Sequence, residues 1–132
     1  MKVILMDTNN LIEMAKKARE KAYAPYSNFR VGAAVVACGK VFTGCNVENA
    51  SYGLTICAER VAIFKAISEG CRNIERIAIY AENMPYPCGA CLQVMDEFCK
   101  DNCQIIISDG KRVEEYSFRD LLPRRFSLQQ ND

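Results

Sequence analysis

Two short segments carry the groups in this chain best suited to chemistry: Cys57-Ala58-Glu59-Arg60 and Pro87-Cys88-Gly89-Ala90-Cys91. They bring three thiols and a carboxylate to a sequence that has no histidine. Three thiolates can hold a zinc ion tetrahedrally and leave the fourth position open to water. Glu59, two residues after Cys57, is placed to lean over that open position and move protons for the water. A structural zinc would want a fourth ligand, here another cysteine or a carboxylate, so the sequence leaves Glu59 open as a ligand too. Cys-x-x-Cys alone also marks redox pairs, structural zinc or two core cysteines. The conjunction narrows the choice: Cys-Ala-Glu at one helix start, Pro-Cys-x-x-Cys at the next, and a strand between them.

Helix starts are what such thiols need. Exposed N–H groups and the helix dipole stabilise thiolates, each contributing about 0.3–2 kcal/mol. Three thiolates outnumber the two positive charges of zinc, and Arg60 is the candidate cation beside the thiols to offset the excess. The plain alternative for Arg60 is a solvated arginine on a helix surface.

The rest of the pattern supplies the frame. Apolar residues at Leu11, Met14, Ala15, Ala18 and Ala22 recur at a helical period and predict a helix over Asn9 to Ala22, capped by Thr8 or Asn9. Ala24-Pro25-Tyr26-Ser27-Asn28 breaks it. Arg30 to Ala37 and Lys40 to Cys45 read as strands around a Cys38-Gly39 turn. Asn46 to Thr55 is a polar loop. Cys57 to Glu69 is a helix stopped by Gly70. A strand over Ile74 to Tyr80, a proline-rich loop over Ala81 to Pro87, and a helix over Gly89 to Lys100 follow. Gln104 to Ser108 and Arg112 to Tyr116 are strands about a turn at Asp109-Gly110, and Phe118 to Leu122 is a short helical turn. The last ten or so residues look irregular. Helices interleaved with strands predict a layered α/β fold with a mixed sheet.

Composition removes other classes. At 132 residues the chain fits one domain, 1–132, with a real core. A net charge of +1 gives no basic footprint for nucleic acid. No apolar run approaches the roughly 20 residues that span a bilayer. Met1 to Asp7 is too short for a signal peptide, so a cytoplasmic protein is expected. Eight cysteines could suggest a disulfide framework, but the length of the chain, the lack of a secretion signal and their places inside apolar runs argue against one. Cys38, Cys45, Cys71, Cys99 and Cys103 are expected to be small buried hydrophobes.

A zinc site of this kind, with a carboxylate to carry protons, is the layout of a hydrolytic deaminase. Along nearly its whole length the chain resembles the small, homotetrameric cytidine deaminases. The matching stretches run from Ala24 to Ala34, from Phe42 to Tyr52, through Cys57-Ala58-Glu59-Arg60 with Lys65 to Gly70, through Pro87 to Cys91, and from Leu121 to Phe126. The resemblance implies a three-layer α/β/α fold with a central mixed sheet of about five strands. It implies Zn2+ on Cys57, Cys88 and Cys91, with Glu59 as proton shuttle. The substrates it implies are cytidine and 2′-deoxycytidine, in pyrimidine salvage.

In the same family Asn46 and Glu48 match the pair that hydrogen-bonds the sugar hydroxyl, which an amide and a carboxylate can do. Turn formation in a polar loop is their plain alternative. Phe29 matches an aromatic that packs on the base and Ala58 a backbone contact to the ring. Tyr52 and Phe126 match positions used across subunit boundaries, so active sites would be shared within a homotetramer. Core packing is the plain alternative for each aromatic. Two departures bear on the site. Leu92 stands where the family has arginine, leaving Arg60 more alone beside the thiols. The loop Glu82 to Tyr86 is short and puts Tyr86 where serine is more usual, which opens the substrate range to a related aminated nucleoside or nucleoside-like antibiotic. A zinc-stabilised binding module is the non-enzymatic alternative; it needs a fourth ligand and gives Glu59 no task.

Overall fold

A computed structural model describes residues 6–128 of the chain. The first residues of the segment read for a leader, and the end of the irregular C-terminal stretch, lie outside the described residues. The elements run α1 (Thr8–Arg19), β1 (Val31–Ala37), β2 (Lys40–Cys45), α2 (Ala58–Ser68), β3 (Ile74–Ala81), α3 (Gly89–Phe98), β4 (Cys99–Ser108), β5 (Val113–Ser117) and α4 (Phe118–Leu121). The sheet order is β2-β1-β3-β4-β5, with β3 and β4 parallel and the other pairs antiparallel. The one parallel pair is joined through α3, as a parallel connection requires a crossover.

Strand periodicity sorts the core into two layers. Ala33, Val35 and Ala37 of β1, Ile77 and Ile79 of β3, and Ile105 and Ile107 of β4 face α2 and α3, meeting Ala62, Ile63, Ala66 and Met95. Ala34, Val36, Ala78, Tyr80 and Ile106 face the other way, onto Leu11, Ile12 and Ala15 of α1. Every residue of β1 is buried, as expected for a strand covered on both faces. The result is the three-layer α/β/α arrangement with a five-stranded mixed sheet. Two glycines set how closely the helices approach. A Cβ at Gly32 would fall 1.9 Å from the Ala15 carbonyl oxygen of α1, and one at Gly44 would fall 2.6 Å from the Ala62 nitrogen of α2.

Several boundaries differ from the sequence reading. Asp7, rather than Thr8 or Asn9, caps α1: its carboxylate accepts from the Asn10 amide at 2.7 Å. That helix ends at Arg19, where the chain turns through Lys21 and Ala22 toward Pro25. α3 ends at Phe98, and β4 begins at once with Cys99, because a register shift lets β4 take up extra residues opposite Ile74 to Arg76.

The cysteine reading also needs correction. Cys38 and Cys71 form a disulfide, with Cα atoms 5.6 Å apart. Cys38 is exposed at the β1–β2 turn in a left-handed conformation, so it is no buried hydrophobe. The chain after α2 returns to that turn and brings Cys71 within bridging distance. Cys45 and Cys99 are only partly buried; Cys103 is buried as expected. A hydrogen bond with Cys103, and then burial, push the Cys99 thiol up in pKa.

Candidate metal centre and its cavity

Cys57 is the N-cap of α2 and Cys88 the N-cap of α3, and Cys91 lies one turn into α3. Both helices rest on the same face of the sheet, so their N-termini converge. The three sulfurs lie within 4.8 Å of one another. Two thiolates on one tetrahedral zinc, each with a Zn–S bond of ~2.3 Å, sit about 3.8 Å apart. Cys57 Sγ and Cys88 Sγ are separated by 3.8 Å. The donor set therefore fits zinc in both chemistry and spacing.

Charge is arranged around the sulfurs. The Cys57 thiol is lowered to about 5, first by its hydrogen bond to Cys91 and further by the Arg60 guanidinium. Cys91 moves up for the reciprocal reason, holding the shared proton. Arg60 Nη2 stands 3.4 Å from Cys57 Sγ. Its Nε is buried without a hydrogen-bond partner among the described residues. A desolvated guanidinium in that state is offset by anionic sulfur beside it. Leu92 packs, partly buried, against the core between helices and sheet. Arg60 is the cation the fold sets against Cys57.

Glu59, in the first turn of α2, is 4% exposed. Burial, and then the negative charge on Cys57, raise its carboxyl to about 7. It lines a cavity of about 330 Å³ with Cys57, Ala58 and Cys88 on one part of the wall and Ser27, Phe29, Asn46 and Glu48 on another. Tyr52, Thr55, Pro85 and Tyr86 also line it.

Asn46 and Glu48 are buried and held by the segment before β1. Asn46 Oδ1 accepts from the Val31 amide at 2.9 Å, and Nδ2 donates to the Phe29 carbonyl at 2.8 Å. One amide N–H is left for a ligand. Glu48 Oε1 accepts from the Tyr26 and Ser27 amides at 2.9 and 3.1 Å, and Oε2 accepts from the Ser27 hydroxyl. These bonds, led by the Ser27 hydroxyl, hold the Glu48 carboxyl below its ordinary pKa. With about four acceptor positions and three in use, one remains. Both side chains thus form turns, as their plain alternative held, and line the cavity as well.

Of the residues singled out by sequence, the fold gathers Phe29, Asn46, Glu48, Tyr52, Cys57, Ala58, Glu59 and Cys88 around one cavity, with Cys91 and Arg60 behind it. Phe126 is not among the lining residues and is 68% exposed. Tyr52 is exposed as well. Sequence reasoning gave no role to Ser27, which locks Glu48. Its signal was the Pro-Tyr-Ser-Asn turn, where a hydroxyl beside a left-handed Asn28 is suited to a local bond.

Comparison with known proteins agrees with this geometry. The profile of the family described as "Cytidine and deoxycytidylate deaminase zinc-binding region" matches residues 6–107. The chain is 48% identical over 126 residues to the cytidine deaminase of Sporosarcina psychrophila, covering 92% of this chain and 93% of that one. It is 47% identical over 129 residues to that of Halalkalibacterium halodurans, covering 94% and 97%. Among solved structures, the cytidine deaminase from Burkholderia pseudomallei superposes with a TM-score of 0.88 at 53% identity, covering 92% of this chain and all of that one. No helix among the described residues is long and apolar enough to cross a membrane.

Proposed function

Since the chain belongs to the family of cytidine and deoxycytidylate deaminases with a zinc-binding region, we propose that it converts cytidine and 2′-deoxycytidine, with water, to uridine and 2′-deoxyuridine, releasing ammonia. The observation that carries this reading is one cavity lined by a buried carboxylate, two of the three clustered thiols, and an amide and a carboxylate with hydrogen-bonding capacity to spare. Bound zinc supplies Lewis-acid activation of a water.

The chain does the rest. Cys57, Cys88 and Cys91 would hold the ion, with Arg60 and two helix N-termini balancing their charge. Glu59 takes a proton from the attacking water and gives it to the pyrimidine ring nitrogen, then takes the remaining proton of the added hydroxyl and gives it to the amine, which leaves as ammonia while the ring carbonyl forms. Its burial keeps bulk water from competing for those protons. Phe29 packs on the base, and the Ala58 backbone meets the ring edge. Asn46 and Glu48 receive the sugar hydroxyls, held in place by Val31 and Ser27. Tyr52 and Phe126, both exposed in the single chain, complete sites across subunit boundaries of a homotetramer. The same reading makes the protein a cytoplasmic enzyme of pyrimidine salvage.

A substrate panel tests this. Ammonia release is expected from cytidine and deoxycytidine and to be much weaker from free cytosine, which lacks the sugar. Turnover confined to a nucleoside-like antibiotic would overturn the substrate assignment. No ammonia from any aminated pyrimidine by zinc-loaded protein would overturn the reaction.

A further inference from the structure

Tyr86 lines the cavity beside Pro85 and Cys88, and its hydroxyl donates to Glu114 Oε1 at 2.8 Å. Glu114 lies on β5, paired with Ile107 of β4. The same oxygen accepts from the Tyr116 hydroxyl at 2.6 Å, and Arg112 stands 3.9 Å from Oε2. One carboxylate thus grips two phenols, and the mechanism above uses none of these groups. The loop between β3 and α3 is fixed elsewhere too: Met84 packs on the core and Pro85 is buried. Tyr86 follows them across the end of β4 to the edge strand, so its ring is tethered at the tip as well as at the backbone.

We propose that Tyr86 is a specificity-determining residue, held by Glu114 as a fixed wall that limits the size of the group carried on the reacting pyrimidine carbon. The inference rests on the deaminase reading above. The reacting carbon must sit within reach of Glu59 and the thiols. Tyr86, though 53% exposed, lines the same cavity as Glu59 and Cys88, so its ring is part of the wall around the reacting carbon. In this proposal that wall is what an alkyl group on the amine meets. In a packed pocket one added carbon changes discrimination by roughly 10–200-fold, provided the wall cannot yield. A tyrosine tied at its hydroxyl yields less than a free one, and Glu114 acts through that tie as a positioning residue.

The test compares kcat/KM for cytidine and N4-methylcytidine in the zinc-loaded enzyme and its variants. Tyr86→Ala should raise the N4-methylcytidine-to-cytidine ratio about tenfold. Tyr86→Phe and Glu114→Ala, which remove the same hydrogen bond, should each raise it by a smaller and equal factor, and their combination by no more than either alone. Inhibition of cytidine turnover by N4,N4-dimethylcytidine should tighten in the same order. An unchanged ratio in Tyr86→Ala overturns the proposal. Should that variant fail to fold, an unchanged ratio in Glu114→Ala, altered on an edge strand, does so instead. Wild-type enzyme that releases no ammonia from cytidine overturns the deaminase reading, and this inference with it.

Discussion

Two groups of cysteines on this face of the sheet sit in different backbone settings, and the setting decides their chemistry. Cys57, Cys88 and Cys91 occupy the first turns of two helices, where N–H groups and the Arg60 guanidinium favour thiolates. Their sulfurs stand at the separation a shared metal ion needs. Cys38 and Cys71 occupy a hairpin turn and the segment after a helix, away from any helix start, and there the same side chain closes a covalent staple. A thiol becomes a ligand or a cross-link according to what surrounds it, and its spacing in sequence informs only the first case.

That contrast can be broken by experiment. The largest effect should come from Cys88→Ala. The wild-type protein should carry about one zinc per chain, and this variant should lose the metal and all turnover, because two thiolates leave the ion half enclosed. Metal analysis that finds full zinc in the variant would show that the cluster is not the site. Next is Glu59→Gln, which keeps the shape and the thiols but cannot pass protons. Zinc content should be unchanged and turnover should fall by ~10²–10⁴-fold; retention of most of the rate would remove Glu59 from its proposed role. The smallest effect on activity should come from Cys38→Ser. Here stability to urea should drop by about 2–4 kcal/mol through loss of the cross-link, with zinc content and turnover kept. Zinc loss in that variant would mean that the staple and the metal centre are not independent.

Much of the site was legible because its residues lie close together in sequence. Cys57 and Glu59 are neighbours on one helical turn, and Cys88 and Cys91 on another, so local geometry alone orients each pair. Asn46 and Glu48 share one loop. The fold class was legible for a similar reason: the apolar runs of β1 and β3, bounded by turn residues, and the helical period before them are short-range signals. Phe126 shows the limit. Its motif placed it in a site, but the single chain leaves it exposed and away from the cavity wall.

The sequence by itself determined the three thiols, the carboxylate beside them and the layered fold, because each is set by residue type and by spacing within one element. The tertiary structure alone decided which distant groups meet. It joined Cys38 to Cys71 across 33 positions, set Ser27 against Glu48, and tied Tyr86 to Glu114 on the far edge of the sheet. Those contacts depend on strand order and on the path of loops between elements. Pairing over such distances is fixed by how the whole core packs, which no local pattern encodes.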